Sequence, residues 1–182
     1  TSAHALGIRT TSTIMYGHIE RPEHWIRHMD LLRGIQHRTG GFTEFVPLSL
    51  IHSEAPMYQR GLVPGVRPGA TELEVIKMHA LARLILGPSF RNIQCSWVKE
   101  GPKLAQMLLT AGANDLGGTL LNESISTSAG APYGQLVPPR ELRRLVRDIC
   151  RTPAERTSLY AIRRYFDPVD ADGLGPGHSC DH

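Results

Sequence analysis

Several stretches of the chain carry side chains whose type and spacing suit chemistry. The first is TIMYGHIE, Thr13 to Glu20, where a β-branched run ends in Tyr16-Gly17-His18 and an acid precedes a helix-opening proline. Glycine at such a strand end lets a bulky ligand approach the backbone. An apolar side chain such as Met15 can pack on a flat heteroaromatic ring. The same residues also read as a plain strand-to-helix turn in which Glu20 complements a helix N-terminus. His18 with Glu20, and His52 with Glu54, each supply the H-x-E half of the zinc deaminase signature. The P-C-x-x-C half is missing, so a metal reading does not follow. His52 and Glu54 stand in a long loop, where they serve as substrate contacts or simply face water.

Glu44 lies inside a second strand between apolar neighbours, and on an inner sheet face it needs a partner. In NIQCSWVKEG the alternation sets Gln94, Ser96 and Val98 on one face and Ile93, Cys95 and Trp97 on the other. Cys95 reads as a packing residue, and Lys99, at the strand end, can hold an anion. GGTLLNESIS supplies Thr119, Asn122, Glu123 and Ser124 after a glycine pair whose amides can face phosphate or carboxylate. No GxGxxG, Walker or GxSxG motif occurs.

These groups need elements to position them, and the pattern alternates strand and helix four times. Arg9–Met15 is the first strand; Pro22 then opens a helix with Trp25, Met29, Leu32 and Ile35 on one face, stopped by Gly40-Gly41. Phe42–Leu48 is the second strand, followed by a Pro- and Gly-rich loop over 51–70. At about 20 residues that loop far exceeds the usual βα connection, as functional loops do. Thr71-Glu72-Leu73-Glu74 is a capping box, and Leu73, Ile76, Ala80 and Leu84 are the expected buried stripe of the helix it starts. Asn92–Val98 is the expected third strand. A helix from Gly101-Pro102 carries Leu104, Met107, Leu108 and Ala111, and Asn114–Leu116 is a short fourth strand. Pro139 opens a last helix with Leu142, Leu145, Val146 and Ile149 on one face. From Phe166 a loose tail is expected, giving a domain over 1–165 and a flexible tail over 166–182.

Alternating strands and helices mean a parallel sheet, either doubly wound or a section of a (β/α)8 barrel, with ligands at the carboxyl ends of the strands. Four units are half a barrel, which alone leaves two sheet edges and an uncovered inner face. Thr1–Leu6 reads as the end of a helix already under way. The expectation is therefore the C-terminal half of a barrel in a longer protein.

The 182 residues are 41% hydrophobic and 20% charged, a globular composition. A net charge of +3, with 17 acidic residues among 20 basic ones, excludes a strongly cationic nucleic-acid binder. Arg140, Arg143, Arg144 and Arg147 read as a solvated helix face. No apolar run reaches the roughly 18 residues of a membrane span, and no secretory signal is seen. Three widely spaced cysteines, Cys95, Cys150 and Cys180, argue against a disulfide framework and fit a reducing cytoplasm.

Four blocks together carry a resemblance: GIRTTSTIMYGHIERPEHW, TGGFTEFVPLSLIHSEAPMY, NIQCSWVKEGP and AGANDLGGTLLNESIS. In this order, from Leu6 to Tyr160, they resemble the C-terminal half of the radical S-adenosylmethionine family that makes the deazaflavin FO. The resemblance implies the 5-amino-6-(D-ribitylamino)uracil–L-tyrosine 4-hydroxyphenyl transferase reaction in a TIM-type barrel, using a [4Fe-4S] cluster and S-adenosylmethionine. It implies that Thr13, Met15, Gly17 and Glu20 form the adenosyl site, with Glu20 bracing the turn. Glu44, His52, Ser96, Lys99, Asn122 and Glu123 are the expected contacts to the small-molecule substrates L-tyrosine and ribitylaminouracil, on strand-end placement. The partner implied is the ring-closing FO synthase component, separate or fused. The family's C-x3-C-x2-C cluster motif is absent here, so the resemblance implies an enzyme only in the full-length protein, with this piece inactive and without metal ligands. Two alternatives remain: a menaquinone-pathway enzyme of the same superfamily (aminofutalosine synthase or futalosine cyclase), and a non-catalytic half-barrel module.

Overall fold

A computed structural model describes residues 1–120, 124–133 and 136–166. The chain forms two compact units, Thr1–Leu136 and Val137–His182.

In the first unit a short helix α1 (Ser2–Ala5) leads to β1 (Thr10–Tyr16), α2 (Pro22–Thr39) and β2 (Phe42–Ser49). β1 and β2 pair in parallel, Thr13 opposite Val46 and Met15 opposite Leu48, with an irregularity between Thr10 and Ser12. Two further parallel bridges continue the sheet in chain order, Phe45 with Ile93 and Gln94 with Asp115. The expected parallel α/β arrangement is therefore present. Among the described residues its strands do not close a barrel.

α2 starts at Pro22, where the fixed φ suits a first helical position, and ends at Gly40 in the left-handed region. It buries Trp25, Met29 and Leu32. Trp25 meets Tyr16 edge to face at 5.6 Å, so the Tyr16 side of β1 faces the helix layer. Thr11, Thr13 and Met15 alternate with it and stay exposed on the opposite face. The long loop contains one turn of helix, α3 (Pro56–Gln59). α4 (Glu72–Leu86) begins with the capping box: the Glu74 amide donates to Thr71 Oγ1 at 3.3 Å and the Thr71 amide to Glu74 Oε2 at 2.8 Å.

The buried stripe of α4 differs from expectation. Val75, Met78, His79, Ala82 and Leu86 face inward, while Leu73 and Leu84 are exposed. The helix is apolar on two faces, so periodicity offers two stripes, and packing selects the one whose single polar member bonds within its own helix. His79 Nδ1 lies 2.9 Å from the Val75 carbonyl, and burial lowers the imidazole pKa to about 4, keeping the ring neutral.

The third strand is also shorter than expected. Regular pairing is confined to Ile93 and Gln94, and α5 (Trp97–Thr110) begins where a strand end was expected. Alternation would send Trp97 and Val98 to opposite faces, yet both are buried, and one helical turn satisfies both. The Trp97 indole donates to the Gly118 carbonyl at 2.8 Å. α5 kinks at Gly101, whose φ of 79° breaks the helix before Pro102. Its apolar face is Ala105, Leu108 and Leu109, with Met107 exposed. The fourth strand reduces to the bridge at Asp115. A short helix, α6 (Ser124–Ser128), follows.

The second unit holds α7 (Pro139–Arg147), which buries Leu142 and Leu145, and an antiparallel hairpin of β3 (Ala154–Arg156) and β4 (Ile162–Tyr165). The hairpin was not expected from the sequence. Cys150 is disulfide-bonded, against the expectation of no disulfide framework. Among the described residues, no helix is long and apolar enough to cross a membrane.

Candidate functional site

The first strand-to-helix turn is built around Glu20. Its Oε1 accepts from the Gly17 amide at 2.6 Å and the Trp25 indole at 3.1 Å; its Oε2 accepts from the His18 amide at 2.9 Å. Arg67 of the long loop reaches Oε1 at 3.4 Å and pairs with Glu74 at 2.7 Å. Burial opposes ionisation of Glu20, but these amide and indole donors outweigh it and hold its pKa below the ordinary value. The carboxylate therefore fixes the turn.

Gly17 has a φ of 87°, and a Cβ there would meet the Gly69 carbonyl carbon at 2.9 Å and Ala70 Cα at 3.0 Å. Its glycine requirement comes from the long loop, which folds back onto the turn. The Arg67 amide also donates to the His18 carbonyl at 2.8 Å. Thr13 and Met15 project from the open face, Met15 with half its surface exposed.

A second group gathers where β2 and α5 meet the long loop. A cavity of about 220 Å³ is lined by Ser49, His52, Ser53, Lys99 and Glu100 together with loop backbone at Gly69. Ser49 Oγ donates to Glu100 Oε1 at 2.6 Å. Burial holds the Glu100 carboxyl above the ordinary range, while the Ser49 hydroxyl and the Lys99 charge pull the other way. The loop is anchored by Ser53, which donates to the Ala129 carbonyl at 3.1 Å, and by the Glu54 amide, which donates to the same oxygen at 3.1 Å. His52 packs edge to face on Tyr58, with ring centres 4.9 Å apart.

The expected site residues thus separate. His52 and Lys99 come together at the cavity. Ser96 caps α5 through its carbonyl, which accepts from the Lys99 and Glu100 amides. Glu44 sits five residues before Ser49 on β2, roughly 16 Å along the strand, toward the opposite end of the sheet. There it accepts from Thr11 Oγ1 at 2.5 Å, and its buried Oε2 has no hydrogen-bond partner. Asn122 and Glu123 lie outside the described residues. Ser49 and Glu100 were missed. The signal was their position: the last residue of a strand, and the residue just before a Gly-Pro helix opening.

The parallel pairing of β1 with β2 and the two further parallel bridges define the class, an α/β protein with polar side chains at the carboxyl ends of its strands. The chain belongs to the CofH/MqnC C-terminal region family, whose model matches residues 39–169. It is 58% identical over 158 residues to a 5-amino-6-(D-ribitylamino)uracil–L-tyrosine 4-hydroxyphenyl transferase of Methanopyrus kandleri, covering 87% of this chain and 42% of that relative. A transferase of the same name from Methanothermobacter thermautotrophicus is 55% identical over 159 residues, covering 87% and 42%. The FO synthase of Mycobacterium leprae is 48% identical over 163 residues, covering 90% of this chain and 18% of that relative. The chain spans less than half the length of these curated relatives.

Proposed function

We propose that this chain is the C-terminal part of a 5-amino-6-(D-ribitylamino)uracil–L-tyrosine 4-hydroxyphenyl transferase, a radical S-adenosylmethionine enzyme that joins the 4-hydroxybenzyl fragment of tyrosine to ribitylaminouracil. The observation that carries the reading is the 58% identity along 158 residues to a relative of that name. A ring-closing FO synthase component, fused or separate, is the partner this reading requires.

S-adenosylmethionine fits the first strand end. Thr13 and Met15 offer an open polar-apolar surface to a flat base, and the buried Glu20 holds the Gly17-His18 backbone beneath it. Glu20 is then a positioning residue, because each of its oxygens is already engaged by the protein. When bound with a [4Fe-4S] cluster, this cofactor supplies the radical that takes hydrogen from tyrosine. The cluster itself does not fit here: among the described residues no three His, Cys, Asp or Glu side chains come together as a metal site. Cys95, free among the described residues, is buried against the Asp115 and Ala105 carbonyls, and burial pushes its thiol far above the ordinary range.

The test is anaerobic reconstitution of the full-length protein with iron and sulfide, followed by dithionite, S-adenosylmethionine, tyrosine and ribitylaminouracil. The expected result is 5′-deoxyadenosine together with a coupled product of the two substrates, read by mass spectrometry. Deoxyadenosine formed only with a futalosine-type nucleoside would move the assignment to the menaquinone branch, which the family description also covers.

A further inference from the structure

We propose that the cavity between Ser49, Ser53, Lys99 and Glu100 is a subsite for a neutral, hydroxyl-bearing chain, and that it takes the ribityl arm of the pyrimidine substrate rather than tyrosine. The inference rests on the transferase reading for the substrate's identity and on the cavity for its chemistry.

The cavity's size comes first. At about 220 Å³ it falls below the roughly 300 Å³ at which pockets begin to enclose whole ligands. It therefore suits one portion of a larger molecule. Its lining comes second. Among the described residues no Phe, Tyr or Trp contributes to the wall, and the one aromatic ring, His52, is already engaged with Tyr58. A phenol or a pyrimidine would find no aromatic face there to stack on. The polar groups instead alternate in hydrogen-bonding capacity. Ser49 and Ser53 already donate, to Glu100 and to the Ala129 carbonyl, so their hydroxyls are left to accept; Lys99 only donates, and the Glu100 carboxyl accepts. Vicinal hydroxyls along an acyclic polyol need that alternation, since each must donate once and accept at least once.

Local geometry builds the site independently of any ligand. Gly101, at a φ of 79°, swings the first turn of α5 so that Lys99 and Glu100 face the cavity. A Cβ at Gly101 would lie 2.8 Å from the Tyr133 ring, so glycine suits the kink on both conformation and space. Ser49 is nine-tenths buried and holds the Glu100 carboxyl in place. Burial of that carboxyl disfavours its charged form, while Ser49 and Lys99 pull the other way, and in either form its oxygens accept from a hydroxyl. Glu100 is thus assigned as a binding residue for a hydroxyl group, with Ser49 positioning it.

The experiment is calorimetric titration of full-length protein with ribitylaminouracil and separately with tyrosine. The variants are Ser49→Ala, Glu100→Ala and Glu100→Gln, each first shown to be folded by circular dichroism. Ser49→Ala and Glu100→Ala are expected to weaken ribitylaminouracil binding by about tenfold, the scale of one lost hydrogen bond. Tyrosine binding should be unchanged. Glu100→Gln, which keeps a neutral donor and acceptor, should restore most of the affinity that Glu100→Ala loses. A loss of tyrosine affinity instead, unchanged binding of both ligands, or no binding of ribitylaminouracil by the wild-type protein would overturn the subsite. Turnover reports separately: binding that depends on Ser49 and Glu100 without coupling to tyrosine would defeat the transferase reading and leave the subsite standing. If Glu100→Ala unfolds the protein, the Glu100→Gln and Ser49→Ala pair decides alone.

Discussion

Two carboxylates stand at strand ends on one edge of the sheet, with β2 between them, and they are treated oppositely. Glu20, in the first turn, is surrounded by donors: two backbone amides, an indole and a guanidinium. Glu100, two turns on in the sheet order, has the Ser49 hydroxyl and a cavity beside it. The first is held in its ionised form, the second is pushed toward its neutral form. An acid saturated by its own backbone has no lone pairs left for a substrate and serves as scaffold. An acid with one protein hydroxyl on it, at the edge of a cavity, retains capacity for a ligand. The difference separates a structural turn from a candidate recognition turn within one sheet edge.

The sharpest way to break the comparison is Glu20→Ala. It strands the Gly17 and His18 amides and the Trp25 indole, and leaves Arg67 with Glu74 alone. A loss of about 3 kcal/mol is expected in urea unfolding, since buried donors then go unpaired. A loss below about 0.5 kcal/mol would mean that Glu20 is dispensable as a brace and that the turn is held by other contacts.

Gly17→Ala probes the same turn from the backbone side. The added Cβ meets the 69–70 backbone and a φ that L residues rarely adopt. Destabilisation of about 2 kcal/mol is expected, with Arg67 detached from the turn. Protease sensitivity of the 51–70 loop, compared with the wild type, checks whether the loop has lifted.

The opposite pKa directions make opposite predictions for pH. Glu20 has a folded pKa below its unfolded value, so the unfolded chain binds more protons in that window. Its contribution is complete above the ordinary glutamate pKa and is lost as pH falls through the lowered one. Glu100 has a folded pKa above its unfolded value, so the folded chain holds the extra proton. Its effect on stability therefore declines as pH rises from the ordinary value through the raised one. Glu100→Gln should remove that decline, and Glu20→Gln should flatten the acid-side loss. Urea midpoints measured across the acid range, variant against wild type, read both slopes. Parallel profiles for the two variants would erase the distinction between the turns.

Much of this arrangement was legible in the sequence. β1, α2 and β2 announce themselves because β-branched alternation, Pro22 and Gly40 agree with one another. The Thr71–Glu74 box is a local reciprocal bond and needs no tertiary help. The α4 stripe was misread because the helix is apolar on two faces, and only packing distinguishes them. The third strand was overextended because Trp97 and Val98 fit either a strand or a helical turn until the Gly118 carbonyl is placed. Of the site, the Gly17–Glu20 turn was visible as a spacing. The Ser49–Glu100 pair was not, because its members stand 51 residues apart and meet only through the sheet.

The smallest effect belongs to Tyr16, which lies between the two turns. Its side chain is fully buried on Trp25, and its hydroxyl has no hydrogen-bond partner. Burial first, then the charges of Glu100, Glu74 and Glu20, drive its pKa far above the ordinary value, so the phenol stays neutral. A buried hydroxyl with nothing to bond has given up its water for no return. Tyr16→Phe keeps the ring on Trp25 and removes that oxygen. The expected change is a gain of up to about 1 kcal/mol, seen as a raised urea midpoint. A loss of similar size would show that the hydroxyl does find an acceptor, and the nearby Glu100 carboxyl is the first place to look. Glu100 would then be engaged from two sides, as Glu20 is, and the double variant Tyr16→Phe/Glu100→Gln would recover the difference.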